Sequence, residues 1–210
     1  KKADYVSVRE PYSLAVLNET GIDSHLEMDD AFKLNSNFIP ELSEEQVKLM
    51  LSEKKLVGVS AEGWSMNRMH VRGKLIEVLK ALKREGNYHF VFITTHSVRE
   101  LSDVKKDAEG FLDNCSFVRP KTWKEAVLTF KMLNVVFAVS LHSAVFSLMN
   151  NVPTIGLYES EYYKMKLKGT MEMLGLGEYA LDARKVTVDK ILEKFRRLMT
   201  HRVTDNTAHA

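Results

Sequence analysis

Chemistry is most readily argued from His142. It follows the apolar run Val135-Val136-Phe137-Ala138-Val139 and Ser140-Leu141, and a helical pattern begins near Ser143. An imidazole takes and returns protons near neutral pH, so a histidine at such a junction suits general acid–base work. A helix starting there offers unpaired backbone amides and the positive end of its dipole, which favour a phosphate or carboxylate. The hydroxyls of Ser140 and Ser143 flank the same turn. Three other run ends carry polar side chains suited to lining a cleft: Ser60 and Glu62 after Leu56-Val57-Gly58-Val59, His96 after Phe90-Val91-Phe92-Ile93, and Glu159 after Thr154-Ile155-Gly156-Leu157. The remaining histidines, His25, His70, His89, His201 and His209, end no such run and read as surface residues.

The elements that must position these groups alternate. The apolar runs, with a weaker one at Phe117-Val118, are continuous rather than alternating, as expected of strands buried on both faces. Between them lie helical patterns: Val71 to Arg84, Glu161 to Leu174 and Val188 to Met199. Ser43 with Gln46, Ser97 with Glu100 and Thr122 with Glu125 have the spacing of capping boxes and mark helix starts. This alternation predicts an α/β fold with a doubly wound, Rossmann-like parallel sheet. With the strand order 3-2-1-4-5, the order reverses between the strand ending at Ser60 and the strand ending at Ser140. Ligands bind at such a switch point, at the carboxyl ends of the strands.

The first part of the chain is organised differently. Tyr5-Val6-Ser7-Val8 reads as a strand and Pro11 to Glu19 as a helix with proline near its start. Lys33 to Glu41 is polar and reads as a linker. Residues 1–42 are therefore expected to be the last β-α unit of a truncated N-terminal domain plus linker. Residues 43–203 are expected to form the Rossmann-like domain, and residues 204–210 a disordered tail.

Several function classes are excluded or unsupported. Among 210 residues, 45% are hydrophobic and 28% charged, with a formal net charge of +2 and dispersed basic residues, so no nucleic-acid partner is implied. No apolar run approaches the roughly 20 residues of a transmembrane helix. The single cysteine, Cys115, forms no internal disulfide, which fits a reducing compartment. Dinucleotide, P-loop and serine-hydrolase motifs are missing, as are zinc clusters. Asp29-Asp30 lacks the other ligands of a calcium loop and reads as a cap on the turn before Ala31-Phe32. No metal and no cofactor are expected. Met165, Met171 and Met173 read as core or groove fillers.

The residues Val6-Ser7-Val8-Arg9-Glu10-Pro11-Tyr12-Ser13, with Leu17, Gly21 and Asp29-Asp30-Ala31-Phe32, resemble the polysaccharide pyruvyl transferase family. A second set matches in order: Val139-Ser140-Leu141-His142-Ser143-Ala144, Phe146-Ser147-Leu148, Val152-Pro153-Thr154, Tyr158, Lys164 and Leu174-Gly175-Leu176. The resemblance implies a two-domain fold similar to GT-B glycosyltransferases, of which this chain is the C-terminal portion. It implies transfer of a pyruvyl group from phosphoenolpyruvate to sugar hydroxyls of a glycan or lipid-linked sugar, forming a ketal. Arg9 matches the family arginine and is the first donor-binding candidate, since a guanidinium grips phosphate or carboxylate in bidentate fashion. His142 matches the family histidine, either as the acid that protonates the enol methylene or as the base for the attacking hydroxyl. Ser13, Ser140, Ser143 and Lys164 are further donor contacts. Ser140 stands where many members carry arginine, and a serine brings no charge.

The resemblance leaves the compartment open: a bacterial member would be cytoplasmic, and a eukaryotic one could lie in the Golgi lumen. Two other readings compete. A nucleotide-sugar glycosyltransferase of the same fold would hold a ribose through Glu159. A degenerate, non-catalytic binding domain would explain the uncharged Ser140.

Overall fold

The computed structural model describes residues 3–34, 41–62, 64, 68–95 and 98–205, those at 98–100 and 201–205 by their backbone alone. Continuous apolar runs become buried parallel strands. Strand β3 (Lys55–Ser60) is covered from Leu56 to Ser60, and β6 (Val135–Ala138) and β7 (Thr154–Tyr158) are covered throughout. Strands this apolar satisfy their backbone in a ladder and their side chains against helices on both faces. With β4 (Tyr88–Ile93), β5 (Cys115–Val118) and β8 (Ala180–Asp182) they form one sheet in the order β5-β4-β3-β6-β7-β8. Every pairing is parallel, and Val57 lies between Phe90 on one side and Val135 on the other. The order reverses between β3 and β6, as the sequence predicts. The sixth strand, β8, was not expected; at three residues it is too short to leave a periodic signal.

Helices connect the strands. Helix α3 (Met69–Glu85) is the predicted amphipathic helix, its buried positions Val71, Leu75, Val78, Leu79 and Leu82 repeating at three and four residues. It ends at Gly86, whose positive φ of 91° closes the helix in the left-handed conformation. α3 packs on α9 (Val188–Asp205), and α5 (Trp123–Lys131) packs on α6 (Leu141–Leu148). Helix α9 includes residues 204 and 205, which the sequence reading assigns to the tail; residues 206–210 lie outside the described residues. Helix α4 (Val98–Glu109) lies beside β4 and β5.

Capping is as read at α2 (Glu44–Met50), where Ser43 and Gln46 bond reciprocally. At α5 the Thr122 hydroxyl accepts from the Glu125 N–H, but the Glu125 carboxylate reaches the N–H of Lys121 instead of Thr122. The Ser97–Glu100 pair and His96 fall outside the residues described in full.

The region expected as one helix from Glu161 to Leu174 is a continuous helical run in three parts. These are α7 (Glu161–Tyr163), a π-helical turn (Lys164–Lys168) and α8 (Gly169–Met173). Leu167 and Met171 from this run both pack on Gly156 of β7, where a side chain would collide with them.

The N-terminal segment is a smaller unit. The strand expected over residues 5–8 is only β1 (Ser7–Val8), pairing in parallel with β2 (His25–Leu26). Helix α1 spans Pro11–Glu19 as predicted, and a 3₁₀ turn covers Asp30–Lys33. Most of the expected linker, residues 35–40, lies outside the described residues. The segment seats on the domain, with α1 against the π turn and α8, and the 3₁₀ turn against α6.

Candidate functional site at the switch point

At the end of β3 the chain turns so that Glu62 folds back under the carboxyl ends of the strands. Its side chain is buried, and so are those of Ser60, Ser140 and Ser143. One carboxylate oxygen, Oε2, accepts from Ser143 Oγ at 3.0 Å and Ser140 Oγ at 3.3 Å, and also from Ser60 Oγ. The other, Oε1, accepts from the Thr95 N–H at 3.0 Å and the Thr95 hydroxyl at 2.9 Å. Ser143 Oγ lies 2.9 Å from both Ser60 Oγ and Ser140 Oγ. A buried carboxylate persists only when hydrogen bonds replace its hydration. Here the donors come from β3, the end of β4 and the start of α6, so the bonds tie together the strands that flank the reversal.

Ser140 is the N-cap of α6, its Oγ accepting from the Ser143 N–H at 3.2 Å. Ser140 and Ser143 therefore face inward to Glu62. They build the turn, while the imidazole of His142, on its first helical turn, is exposed. Both sequence candidates for lining the cleft at the end of β3, Ser60 and Glu62, are brought to this point, beneath its surface.

A cation that sequence reasoning passed over stands beside them. Arg68, at the N-cap position of α3, donates from Nη1 to the carbonyl of Val139 at 2.7 Å. Its guanidinium lies 3.7 Å above the ring of Tyr163. Glu159 accepts from the Val71 N–H at 3.0 Å and so caps the first turn of α3. The ends of β6 and β7 thus hold the start of α3, and with it Arg68. In the sequence Arg68 merely precedes a helical pattern.

The remaining candidates, Arg9 and Ser13 of the N-terminal segment and Lys164 of the π turn, lie apart from this cluster. Arg9 Nη1 bonds Asp29 Oδ2 at 2.6 Å, and the Arg9 side chain is 42% exposed. Asp29 also accepts from the Ala31 N–H at 3.0 Å, capping the 3₁₀ turn as expected. A cavity of about 580 Å³ is lined by Arg9, Ser13, Glu27, Asp29, Asp30 and Lys166, among others. The Ser13 hydroxyl is bonded to Glu10, a buried residue whose carboxylate caps α1 by accepting from the N–H groups of Tyr12 at 2.8 Å and Ser13 at 3.0 Å. Lys164 is held by Glu161 at 3.0 Å, which raises its pKa. The lysine that reaches the cavity is Lys166, two positions on and within the π turn, a placement that a regular helical repeat does not foretell.

His89 is not the surface residue expected. It is half-buried on β4, 2.8 Å from Ser116 Oγ, and burial lowers its pKa, with Lys54 adding to the effect. Met171 is fully buried, in line with a core role. Among the described residues no group of histidine, cysteine and carboxylate side chains is arranged to hold a metal. No described helix is long and apolar enough to cross a membrane.

These features define a Rossmann-like domain of the kind found in GT-B enzymes, with a polar site at the reversal of strand order. Solved structures of similar fold include a UDP-GlcNAc 2-epimerase from Methanocaldococcus jannaschii in complex with UDP-GlcNAc and UDP (TM-score 0.64, 11% identity, 94% of this chain and 54% of that one). The E. coli ADP-heptose LPS heptosyltransferase II matches at TM-score 0.54 and 16% identity over 77% of this chain and 53% of that one. A glycosyl transferase family 9 protein from Veillonella parvula matches at 0.53 and 11% over 95% and 68%. The chain spans about half the length of the first two. No curated protein matched in a sequence search. The polysaccharide pyruvyl transferase family model matches residues 1–161, and the chain belongs to that family.

Proposed function

We propose that the protein transfers a pyruvyl group from phosphoenolpyruvate to two hydroxyls of a sugar in a glycan or lipid-linked precursor, forming a cyclic ketal. Family membership supports a transferase of polysaccharide biosynthesis. The observation that carries the reading further is His142. Its imidazole is exposed on the first turn of α6, at the switch point, while the serines on either side are turned inward.

The reaction needs proton traffic. One sugar hydroxyl adds to C2 of the donor, and C3 gains a proton to become a methyl group. The second hydroxyl then displaces phosphate at C2, and its proton leaves with the phosphate or through a base. A histidine can serve either proton transfer. The donor carries a phosphate and a carboxylate, and Arg9 and Lys166 are the cations that line the cavity, Arg9 by exchanging its Asp29 partner for the donor. The nucleotide-sugar alternative loses weight because the carboxylate of Glu159 caps α3.

The test is phosphate release from phosphoenolpyruvate with a panel of sugar acceptors. His142→Ala is expected to lower turnover by about 10²- to 10⁴-fold while donor binding by calorimetry persists. Unchanged turnover would remove His142 from the mechanism. Binding of a nucleoside diphosphate in preference to phosphoenolpyruvate would replace pyruvyl transfer with glycosyl transfer.

A further inference from the structure

We infer that Arg68 is an anion-binding residue of this site and supplies the positive charge that Ser140 does not. The inference rests on the pyruvyl-transfer reading for the identity of the anion, but not for the existence of the anion site.

The geometry of the β6–α6 turn makes Ser140 unsuited to the task. Its hydroxyl is buried, caps α6 through the Ser143 N–H, and is bonded to Ser143 Oγ and Glu62. None of these bonds offers charge to a ligand. Arg68 is brought to the same turn from a different element. Its Nη1 donates at 2.7 Å to the carbonyl of Val139, the residue just before Ser140. The central carbon of its guanidinium lies 3.7 Å from the centre of the Tyr163 ring, a cation–π contact that holds the charged head beside α7. Backbone placement is secured separately, because Glu159 accepts from the Val71 N–H and holds the first turn of α3 at the end of β7.

What is left over points to a ligand. A guanidinium has five N–H donors, and Val139 takes one. Among the described residues Arg68 forms no ion pair, in contrast to Arg72 one turn on, which is paired with Asp107. An arginine without a carboxylate partner, held by the Val139 carbonyl and the Tyr163 ring beside the turn that carries His142, has donors left to receive an oxyanion. The ligand class is a phosphate- or carboxylate-bearing small molecule, which phosphoenolpyruvate satisfies twice.

The experiment compares wild type, Arg68→Gln and Arg68→Lys. Glutamine keeps a donor for Val139 but removes the charge, and lysine restores the charge. Two probes are titrated by calorimetry, inorganic phosphate and phosphoenolpyruvate, and KM for donor and acceptor are measured where turnover is found. Thermal unfolding of each variant establishes that it is folded. Arg68→Gln is expected to weaken phosphate and phosphoenolpyruvate binding by roughly tenfold or more, with Arg68→Lys recovering part of the loss and acceptor KM unchanged. Arg68-dependent phosphate binding in a protein that does not turn over phosphoenolpyruvate would sustain the anion site and sink the pyruvyl-transfer reading. Binding of both probes by folded Arg68→Gln within twofold of wild type would overturn the assignment. So would a loss in Arg68→Gln that Arg68→Lys does not recover at all.

Discussion

Glu62 shows how a single buried side chain can tie together the strand ends at a candidate site. Three serine hydroxyls and both polar hydrogens of Thr95 converge on its carboxylate, and the hydroxyls also approach one another at 2.9 Å. Three hydroxyl protons cannot serve every one of those oxygen contacts, so each relies on the carboxylate as a pure acceptor. Glu62→Gln replaces one acceptor oxygen with an NH₂ donor, leaving either Thr95 or the serines with a donor facing a donor. We expect a loss of about 1–3 kcal/mol, the cost of an unsatisfied buried group, measured as a shift of the urea midpoint. A midpoint equal to that of wild type would show that the cluster contributes no stability. The sequence brought Ser60, Glu62, Ser140 and His142 to one place because each ends a buried run at the switch. It could not distinguish a hydroxyl turned into the protein from one offered to a ligand. That choice is made by Glu62, whose burial has no local signature. Arg68 was invisible for a related reason: its partners, the Val139 carbonyl and the Tyr163 ring, lie about 70 and 95 positions away.

The elements follow their periodicity, with departures where a second constraint acts. Gly58 is one such place, midway along the first strand of the large sheet. A Cβ there would lie 2.5 Å from Leu133 Cδ1 and 3.1 Å from Val136 Cγ2, both on buried residues. Gly58→Ala should therefore destabilise by about 1–3 kcal/mol through overpacking, although alanine suits a strand no worse than glycine; chemical denaturation measures it. His89 gives the sheet a pH dependence. Its folded pKa is lowered by burial, so the unfolded chain takes up the proton more readily. The associated stability is complete above about pH 6.5, the ordinary histidine value, and is lost as pH falls toward the folded pKa. His89→Gln retains a partner for Ser116 and should flatten this part of the curve. The check is the difference in urea midpoint between variant and wild type at pH 7.5 and pH 5. A difference that does not change with pH would refute the linkage. Strand order and the main helices were legible because long apolar repeats encode them. Strand β8 and the π turn were not, since three residues carry no period and the turn answers to packing of Leu167 and Met171 on Gly156.

At the scale of the whole molecule, the Arg9 cavity and the polar cluster at the switch point are carried by different units, which meet closely at Gly169. The cavity is lined by Arg9 and its neighbours from the N-terminal segment and by Lys166 from the Rossmann-like domain, which also carries His142 and Arg68. The segment seats on α8 at Gly169, where a Cβ would lie 3.0 Å from Glu10 Cβ and 3.2 Å from Tyr12 Cδ2. Glu10 is buried there and caps α1, so it cannot yield without releasing the helix. A branched side chain at this position must push the segment outward. In Gly169→Val, Arg9 should lose its position relative to Lys166, while the six-stranded sheet, to which Gly169 does not contribute a strand residue, keeps most of its stability. Donor KM is expected to rise roughly tenfold, the worth of one charge-assisted contact, and residues 3–34 should be cut faster in limited proteolysis. Urea unfolding followed by tryptophan fluorescence should remain near wild type. Faster proteolysis with an unchanged donor KM would separate Arg9 from the donor site and leave Arg68 and Lys166 to hold the anion. Wild-type behaviour in both measurements would mean that the segment is not seated through Gly169.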